Sequence, residues 1–141
     1  MKGLDRFVRL QILKAFYALS GVFSLINAFW MLVSPFSWYR NFPAAVPHTG
    51  PFNGHFVRDI GVAYSCAALG FGWCAVNPRS SYAVHLGLTV FFTGHALIHL
   101  YEILSGNLPA SHWVTDTPMV FLPAIVLIIL ALPVVRERFG A

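Results

Sequence analysis

The chain contains four apolar segments that are each long enough to cross a lipid bilayer. They cover approximately residues 10–33, 55–76, 82–104 and 118–135. A membrane-spanning helix needs about 20 residues, because each residue adds about 1.5 Å and the hydrocarbon layer is about 30 Å thick. Backbone polar groups cannot remain unpaired in lipid, so apolar segments of this length form helices. The sequence therefore predicts an all-α, polytopic membrane protein built as an antiparallel bundle of four transmembrane helices.

The composition of the chain agrees with a membrane location. Of the 141 residues, 57% are hydrophobic and only 10% are Asp, Glu, Lys or Arg. Soluble domains contain about 25% charged residues. The four segments and their short connections use most of the chain, so we expect one transmembrane domain over residues 1–141. The lipid bilayer is the expected partner, and the sequence carries no feature that indicates nucleic-acid binding.

The positions of lysine and arginine predict which way the bundle faces. Basic residues concentrate near the two termini and in the turn between the second and third segments: Lys2, Arg6, Arg9, Lys14, Arg79, Arg136 and Arg138. Only Arg40 and Arg58 belong to the other side. Lysine and arginine are enriched in cytoplasmic loops. We therefore expect a multi-pass protein of the bacterial inner membrane with both termini in the cytoplasm.

Three ionisable residues interrupt the third segment within the sequence TGHALIHLYE: His95, His99 and Glu102. At about 100° per residue, the three positions fall within about 60° of one another on a helical wheel. An ionisable side chain in the hydrocarbon layer costs about 2.5–3.5 kcal/mol. This cost and the shared face indicate a site inside the protein rather than a surface in contact with lipid.

The second segment opens with a similar polar stripe. His55 and Asp59 are one helical turn apart, and Arg58 lies between them in sequence. The short turn NPRSS joins the second and third segments, so we expect these two helices to form an antiparallel hairpin and to touch. In that arrangement the two polar stripes meet in one pocket below the outer surface of the membrane.

The connections predicted on the outer side carry further polar residues. His48 belongs to the first connection, and His112 and Asp116 belong to the third. These side chains can close over the same pocket. His85, near the cytoplasmic end of the third segment, is the exception among the six histidines.

Imidazole and carboxylate groups at helical spacing are typical metal ligands in helix bundles. We predict a transition-metal site with ligands drawn from His55, Asp59, His95, His99 and Glu102. These residue types do not distinguish Fe, Cu and Zn. A haem held by histidines on facing helices is the alternative cofactor.

A metal-dependent oxidoreductase is the enzymatic hypothesis that follows from this site. Glu102 is the candidate proton acceptor as well as a ligand. Arg58 is the candidate for orienting an anionic or carbonyl group. The substrate would be an apolar or other small molecule that reaches the pocket from the lipid.

Other interpretations of the polar residues remain open. They can form a structural hydrogen-bond network that holds two helices together without any chemistry. The protein would then be a non-catalytic accessory subunit of a membrane complex or of a homo-oligomer. A transporter protomer is a third interpretation, although the polar groups do not continue as a path toward the cytoplasm.

The stretch from Thr49 to Tyr64, TGPFNGHFVRDIGVAY, resembles a signature of uncharacterised bacterial inner-membrane proteins with four helices. Gly94, His95 and His99 resemble a GH…H segment that those proteins carry on the third helix. The size and topology are loosely similar to the DoxX-like group. The resemblance covers most of the chain and implies a membrane-embedded four-helix bundle, but it implies no activity.

Overall fold

A computed structural model describes residues 2–139, and within them all regular secondary structure is helical. In chain order the elements are α1 (Lys2–Val33), α2 (Pro35–Asn41), a 3₁₀ turn (Val46–Thr49), α3 (Gly54–Val76), α4 (Tyr82–Leu104), α5 (His112–Thr115), a π-helical turn (Thr117–Phe121), α6 (Leu122–Ala131) and α7 (Pro133–Phe139). The all-α prediction is therefore confirmed for this part of the chain.

Three helices are long and apolar enough to cross a membrane, namely Asp5–Val33 within α1, then α3 and α4. The predicted segments 55–76 and 82–104 lie within α3 and α4. The predicted segment 10–33 covers only the later part of α1. The helix begins earlier because Lys and Arg, although polar, are good helix formers.

The fourth predicted segment, 118–135, is not one straight helix. It begins in the π-helical turn and continues into α6, and the chain then bends by 86° between Thr117–Ala131 and Pro133–Phe139. Leu132 has an extended backbone at the bend, with φ −68° and ψ 124°. Proline has no amide hydrogen and disfavours helical geometry in the residue before it, which explains the break. A fourth span exists only if this bent pair is counted as one.

The packing of α1 against α3 is the most extensive in the fold, and α4 packs mainly on α6. Glycines bring α1 and α3 together. A Cβ atom on Gly61 would lie 3.0 Å from Cβ of Met31, and one on Gly21 would lie 3.3 Å from Cβ of Phe71. Small residues let membrane helices approach closely in this way. The contact between α3 and α4 is smaller, so the expected hairpin is not the main packing unit.

A buried polar network joins α1, α4, α6 and α7 at the end of the molecule where α3 turns into α4. Nε2 of His85 lies 3.1 Å from the carbonyl oxygen of Leu127, and Nδ1 lies 2.9 Å from the hydroxyl of Tyr17. A carbonyl only accepts, so Nε2 carries the proton and Tyr17 donates to Nδ1. Arg136 donates to the Tyr17 hydroxyl at 3.4 Å and to the carbonyl of Pro78 at 2.7 Å. These bonds tie α7 to the bundle.

The helix break at the end of α6 is stabilised by α4. The hydroxyl of Tyr82 donates to the carbonyl of Ala131 at 3.0 Å. Because the chain leaves the helix at Leu132, this carbonyl would otherwise lack a helical partner. The ring of Tyr82 also lies 5.0 Å from the guanidinium carbon of Arg136. One side chain of α4 therefore supports both sides of the bend.

Candidate metal centre

The most concentrated group of ionisable side chains lies near the other end of α4. His99 follows His85 by fourteen residues, which is about 21 Å along the helix axis. His99, His112 of α5 and Asp116 offer ligand atoms that all lie within 4.8 Å of one another. The side chains of His112 and Asp116 are fully buried, and that of His99 is 13% exposed. Ionisable groups that are distant in sequence are thus withdrawn from solvent together.

Asp116 connects the two histidines. Its Oδ2 lies 2.7 Å from Nδ1 of His99 and 3.0 Å from Nδ1 of His112. Its Oδ1 is also 3.0 Å from Nδ1 of His112. An ionised carboxylate only accepts, so both imidazoles donate from Nδ1. An ion held by all three residues would take the place of these two Nδ1 protons, because a metal ligand must present an unprotonated atom.

His48 extends this chain of hydrogen bonds to the outside of the protein. Its Nδ1 lies 3.0 Å from Nε2 of His112, and the two rings meet edge to face with centroids 5.3 Å apart. Because Nε2 of His112 is the acceptor, His48 donates from Nδ1. His48 is exposed, so it forms the solvent-facing end of the group.

The local backbone explains why His112 and Asp116 point the same way. The two residues are four apart, and the amide of Asp116 donates to the carbonyl of His112 at 2.9 Å. Side chains at this spacing share one helix face. The carbonyl of Asp116 then accepts from the amide of Val120 at 2.7 Å and from that of Phe121 at 3.2 Å. The wide π-helical turn therefore fixes the position of Asp116.

The connection that carries His48 is also held in place. The amide of His48 donates to the carbonyl of Ala45 at 2.9 Å and closes the 3₁₀ turn. The hydroxyl of Tyr39, on α2, donates to the carbonyl of Gly50 at 2.7 Å. Gly50 has a φ of 137°, a backbone conformation that favours glycine. The loop is thus anchored on both sides of His48.

The residues present fit a transition-metal ion. Two imidazoles and one carboxylate form the ligand set of many non-haem iron and catalytic zinc sites, which keep open positions for water or substrate. Bonds from such metals to nitrogen or oxygen are about 2.0–2.2 Å long. Donor atoms within 4.8 Å of one another are close enough to share one ion. The group contains neither Cys66 nor Cys74.

His95 and Glu102 lie beside this group rather than within it. The ring of His95 meets the ring of His99 edge to face, with centroids 4.7 Å apart. His95, His99 and Glu102 all line one cavity. The predicted polar face of the third segment therefore borders this cavity, and only His99 reaches the carboxylate of Asp116.

His55, Arg58 and Asp59 lie on an exposed face of α3. Nε2 of His55 is 3.3 Å from Oδ2 of Asp59, and these side chains are 85% and 60% exposed. Arg58 donates to the carbonyl of Gly54 in its own helix at 3.3 Å. The expected meeting of Asp59 with the histidines of α4 does not occur. Gly61 faces α1, and Asp59 lies about 160° around α3 from Gly61, so the polar stripe points outward.

The cavity has a volume of about 780 Å³ and lies between α1, α3 and α4. It lies beside His99, His112 and Asp116, the candidate metal-ligand group. Small-molecule sites commonly have volumes of about 300–1,000 Å³. Its lining is mainly apolar and holds seven aromatic side chains: Phe23, Trp38, Tyr39, Phe42, Phe56, Tyr64 and Phe91. Val90 and Ile98 line it while they are 73% and 58% exposed. The cavity is therefore open at the side of the helices.

His112 and Asp116 are the site residues that the predicted ligand set did not contain. A signal for them is present in the sequence HWVTD, where histidine and aspartate have the same spacing as His55 and Asp59. The surrounding segment is rich in Ser, Gly, Asn and Pro, which predicts a loop. The single turn of helix that aligns the two side chains is therefore not visible in the sequence.

Comparison with known proteins adds no family to this description. No family model matches the chain, and no curated protein or solved structure matches it. The similarity to DoxX-like membrane proteins thus stays a prediction, and the functional interpretation depends on the geometry of the site.

Proposed function

We propose that the protein is an integral membrane protein that binds a transition-metal ion through His99, His112 and Asp116. We further propose that it is a metal-dependent oxidoreductase whose small-molecule substrate occupies the adjacent cavity. The observation that carries this proposal is the fully buried carboxylate of Asp116, which lies within hydrogen-bond distance of two imidazoles.

The charge of Asp116 supports a bound cation. Removing a carboxylate from water costs several kcal/mol unless positive charge and hydrogen bonds compensate it. Among the described residues, the ion-pair partners of Asp116 are His99 and His112 alone. Both histidines are neutral when they bind a metal. A divalent ion would supply the missing positive charge without requiring either imidazole to be protonated.

Iron, copper and zinc are all compatible with two nitrogen ligands and one oxygen ligand. A bound iron or copper ion would supply the one-electron chemistry that an oxidoreductase needs. Glu102 lines the cavity, where it can accept a proton from a bound substrate. Arg58 lies outside the cavity lining, so it has no part in this proposal.

We infer that the metal-ligand group lies toward the outer face of a bacterial inner membrane, in an antiparallel four-span bundle. The bond between Arg136 and the carbonyl of Pro78 supports this orientation, because it places α7 at the same end as the α3–α4 turn. This end carries Arg79, Arg136 and Arg138. Basic residues favour the cytoplasmic side, and the metal-ligand group lies toward the other end of α4.

Cysteine labelling tests the orientation. In a Cys66→Ser, Cys74→Ser background, single cysteines replace Ser80 in the α3–α4 turn or Asn107 in the α4–α5 connection. Both positions are exposed. A membrane-impermeant maleimide should label the cysteine at position 107 in intact spheroplasts, and the cysteine at position 80 only after lysis. The reverse pattern would overturn the orientation, and equal labelling of both sites in intact spheroplasts would overturn the membrane topology.

Elemental analysis tests the metal site. Protein purified without chelator should carry close to one Fe, Cu or Zn per chain, and the double variant His99→Ala, His112→Ala should carry none. The matched control is His55→Ala, Asp59→Ala, which removes an exposed His–Asp pair of the same spacing. That control should keep its full metal content. Loss of metal in the control, but not in the His99 and His112 variant, would overturn this ligand set and place the metal site on the exposed face of α3.

A structural network is the second candidate, and one observation favours it. Asp116 already accepts from both histidines, and His112 already accepts from His48, so these bonds are complete without an ion. Two findings together would support an accessory role: wild-type protein purified without chelator contains no metal, and the Asp116→Ala variant unfolds at a lower temperature than wild type.

An absorption spectrum of the same purified protein tests the haem alternative, because haem produces an intense Soret band.

A further inference from the structure

We propose that the cavity beside His99 binds a neutral, membrane-soluble phenol, with the aromatic ring among the apolar residues and the hydroxyl directed toward Glu102 and His99. This assignment names the substrate class of the proposed function, on which it rests for the role of the ligand. Binding itself is independent of the metal and is tested in chelated protein.

The shape and lining of the cavity favour an aromatic ligand. A volume of about 780 Å³ is large enough for a ring with an alkyl substituent. Aromatic side chains line it from α1, α2, α3 and α4, including Trp38, Phe56 and Phe91. Aromatic pairs add about 0.5–1.5 kcal/mol beyond the burial of their area. A ring inside this lining would gain such contacts on several sides.

The polar groups at the α4 wall favour a hydroxyl donor. Glu102 presents a carboxylate, which only accepts while ionised. Within the described part of the chain, that carboxylate makes no hydrogen bond or ion pair. In the chelated protein His99 donates a hydrogen bond from Nδ1 to Asp116, so Nε2 of the neutral imidazole is an acceptor. Two acceptors three residues apart on one helix face call for a ligand that donates.

The charges around the cavity argue against the two charged classes of ligand, carboxylates and ammonium ions. No Lys or Arg occurs among the described residues that line the cavity, whereas Glu102 does line it. In the chelated protein a carboxylate ligand would therefore meet a like charge without a compensating cationic side chain. An ammonium ligand would have to reach the side opening through hydrocarbon, which costs about 2.5–3.5 kcal/mol for a charged group. A neutral phenol avoids both costs.

Other polar groups on the wall can accept or donate to the same ligand. Trp38 donates from Nε1 to Oδ1 of Asn27 at 2.7 Å. Because tryptophan only donates, this bond fixes the amide and leaves Nδ2 of Asn27 as a donor. Neither that nitrogen nor the hydroxyl of Tyr64 has a hydrogen-bond partner among the residues whose side chains the structure describes, 5–139. Both residues line the cavity, so they offer further hydrogen-bond partners to a hydroxylated ring.

Two glycines on α4 supply a matched pair of variants. A Cβ atom on Gly94 or on Gly87 meets no atom within 4 Å, so a larger side chain fits the backbone at both positions. Gly94 lines the cavity, and Gly87 does not. Gly94→Leu should therefore fill the cavity while Gly87→Leu leaves it open. The same substitution, two turns apart on one helix, controls for effects on helix stability.

The probe is para-hexylphenol with a photoreactive diazirine on its alkyl chain. The protein is treated with EDTA, reconstituted in lipid nanodiscs and photolysed, and the labelled residues are mapped by mass spectrometry. The competitors share the hexylbenzene body: para-hexylphenol, para-hexylanisole without the donor, para-hexylbenzoate as the anion and para-hexylbenzylamine as the cation. Wild type, Gly87→Leu, Gly94→Leu and Glu102→Gln are compared.

We expect saturable labelling of cavity-lining residues in wild type and Gly87→Leu, and its loss in Gly94→Leu. The phenol should compete about tenfold better than the anisole, which corresponds to one lost hydrogen bond to a charged acceptor. In Glu102→Gln the phenol should compete less well than in wild type, and the benzoate should compete better. If Gly94→Leu alone fails to fold, the Glu102→Gln comparison decides the assignment.

Equal competition by the anisole, or stronger competition by the benzoate or the benzylamine, would overturn the choice of a phenol. Labelling that does not saturate and persists in Gly94→Leu would show only lipid-facing contact and would also overturn it. Elemental analysis of untreated samples separates the two proposals. Saturable phenol labelling without metal refutes the metal centre alone, and metal without saturable labelling refutes the cavity assignment alone.

Discussion

Nδ1 of His99 lies 2.7 Å from Oδ2 of Asp116, although 17 residues separate them in the chain. His99 belongs to the helical face that was recognisable in the sequence, and Asp116 follows a single turn of helix in what was expected to be a loop. Their contact links α4 to α5 and the π-helical turn. The cavity next to this contact is the place where the proposed metal ion and the proposed phenol would meet.

Replacing Asp116 by asparagine tests the role of the carboxylate with little change in volume. The amide has one acceptor instead of two, no charge, and an NH₂ group that faces imidazole donors. We expect metal affinity to fall by at least about 10–100-fold, the range seen when an outer-shell partner alone is lost. Competition with a chromogenic chelator measures this. Asp59→Asn is the matched control, and equal affinities of the two variants would contradict the proposed centre.

Replacing Tyr17 by phenylalanine tests the network at the other end of α4. The variant removes the hydroxyl that donates to His85 and accepts from Arg136. Leaving a buried polar group without its partner costs about 1–3 kcal/mol. Thermal unfolding in detergent should therefore occur at a lower temperature than in Tyr101→Phe, whose side chain is 68% exposed. Metal content should not change, because the two networks lie apart on α4; a metal-depleted but equally stable variant would refute this separation.

Replacing Gly61 by alanine tests the close packing of α1 and α3. The added methyl would lie 3.0 Å from Cβ of Met31 and 3.1 Å from Cγ of Leu32. Overpacking of this kind costs about 1–3 kcal/mol. Gly72→Ala, on the same helix, meets no atom within 4 Å and should be neutral or slightly stabilising. Denaturant titration of both variants measures the difference, and equal stability would show that α1 and α3 can separate without cost.

The helices of this protein follow from local properties of the chain. Hydropathy and length predicted helices over 55–76 and 82–104, and the observed helices are Gly54–Val76 and Tyr82–Leu104. Whether a segment forms a helix depends mainly on residues that are close in sequence. These ranges could therefore be predicted from the sequence. The bend before Pro133 was not predicted, because proline is often tolerated inside membrane helices. Whether it breaks the helix depends on surrounding contacts, here the bond from Tyr82 to Ala131.

Only part of the candidate site could be predicted from the sequence. The wheel positions of His95, His99 and Glu102 predicted a common face, and all three line the cavity. His55 and Asp59 have the same spacing as His112 and Asp116, yet one pair is exposed and the other is buried. Spacing along a helix states which side chains are neighbours. It does not show whether solvent, lipid or another helix lies against those side chains.

By itself, the sequence determined that this chain is helical and that the polar residues of α4 share one face. It predicted four membrane spans, and three helices of the structure are long and apolar enough to cross a membrane. The tertiary structure decided which partners that face meets. Gly61 turns α3 toward α1 and thereby points Asp59 outward, while the turn after α5 brings Asp116 to His99. The rotation of a helix about its axis is set by contacts between residues far apart in the chain, and no local pattern encodes those contacts.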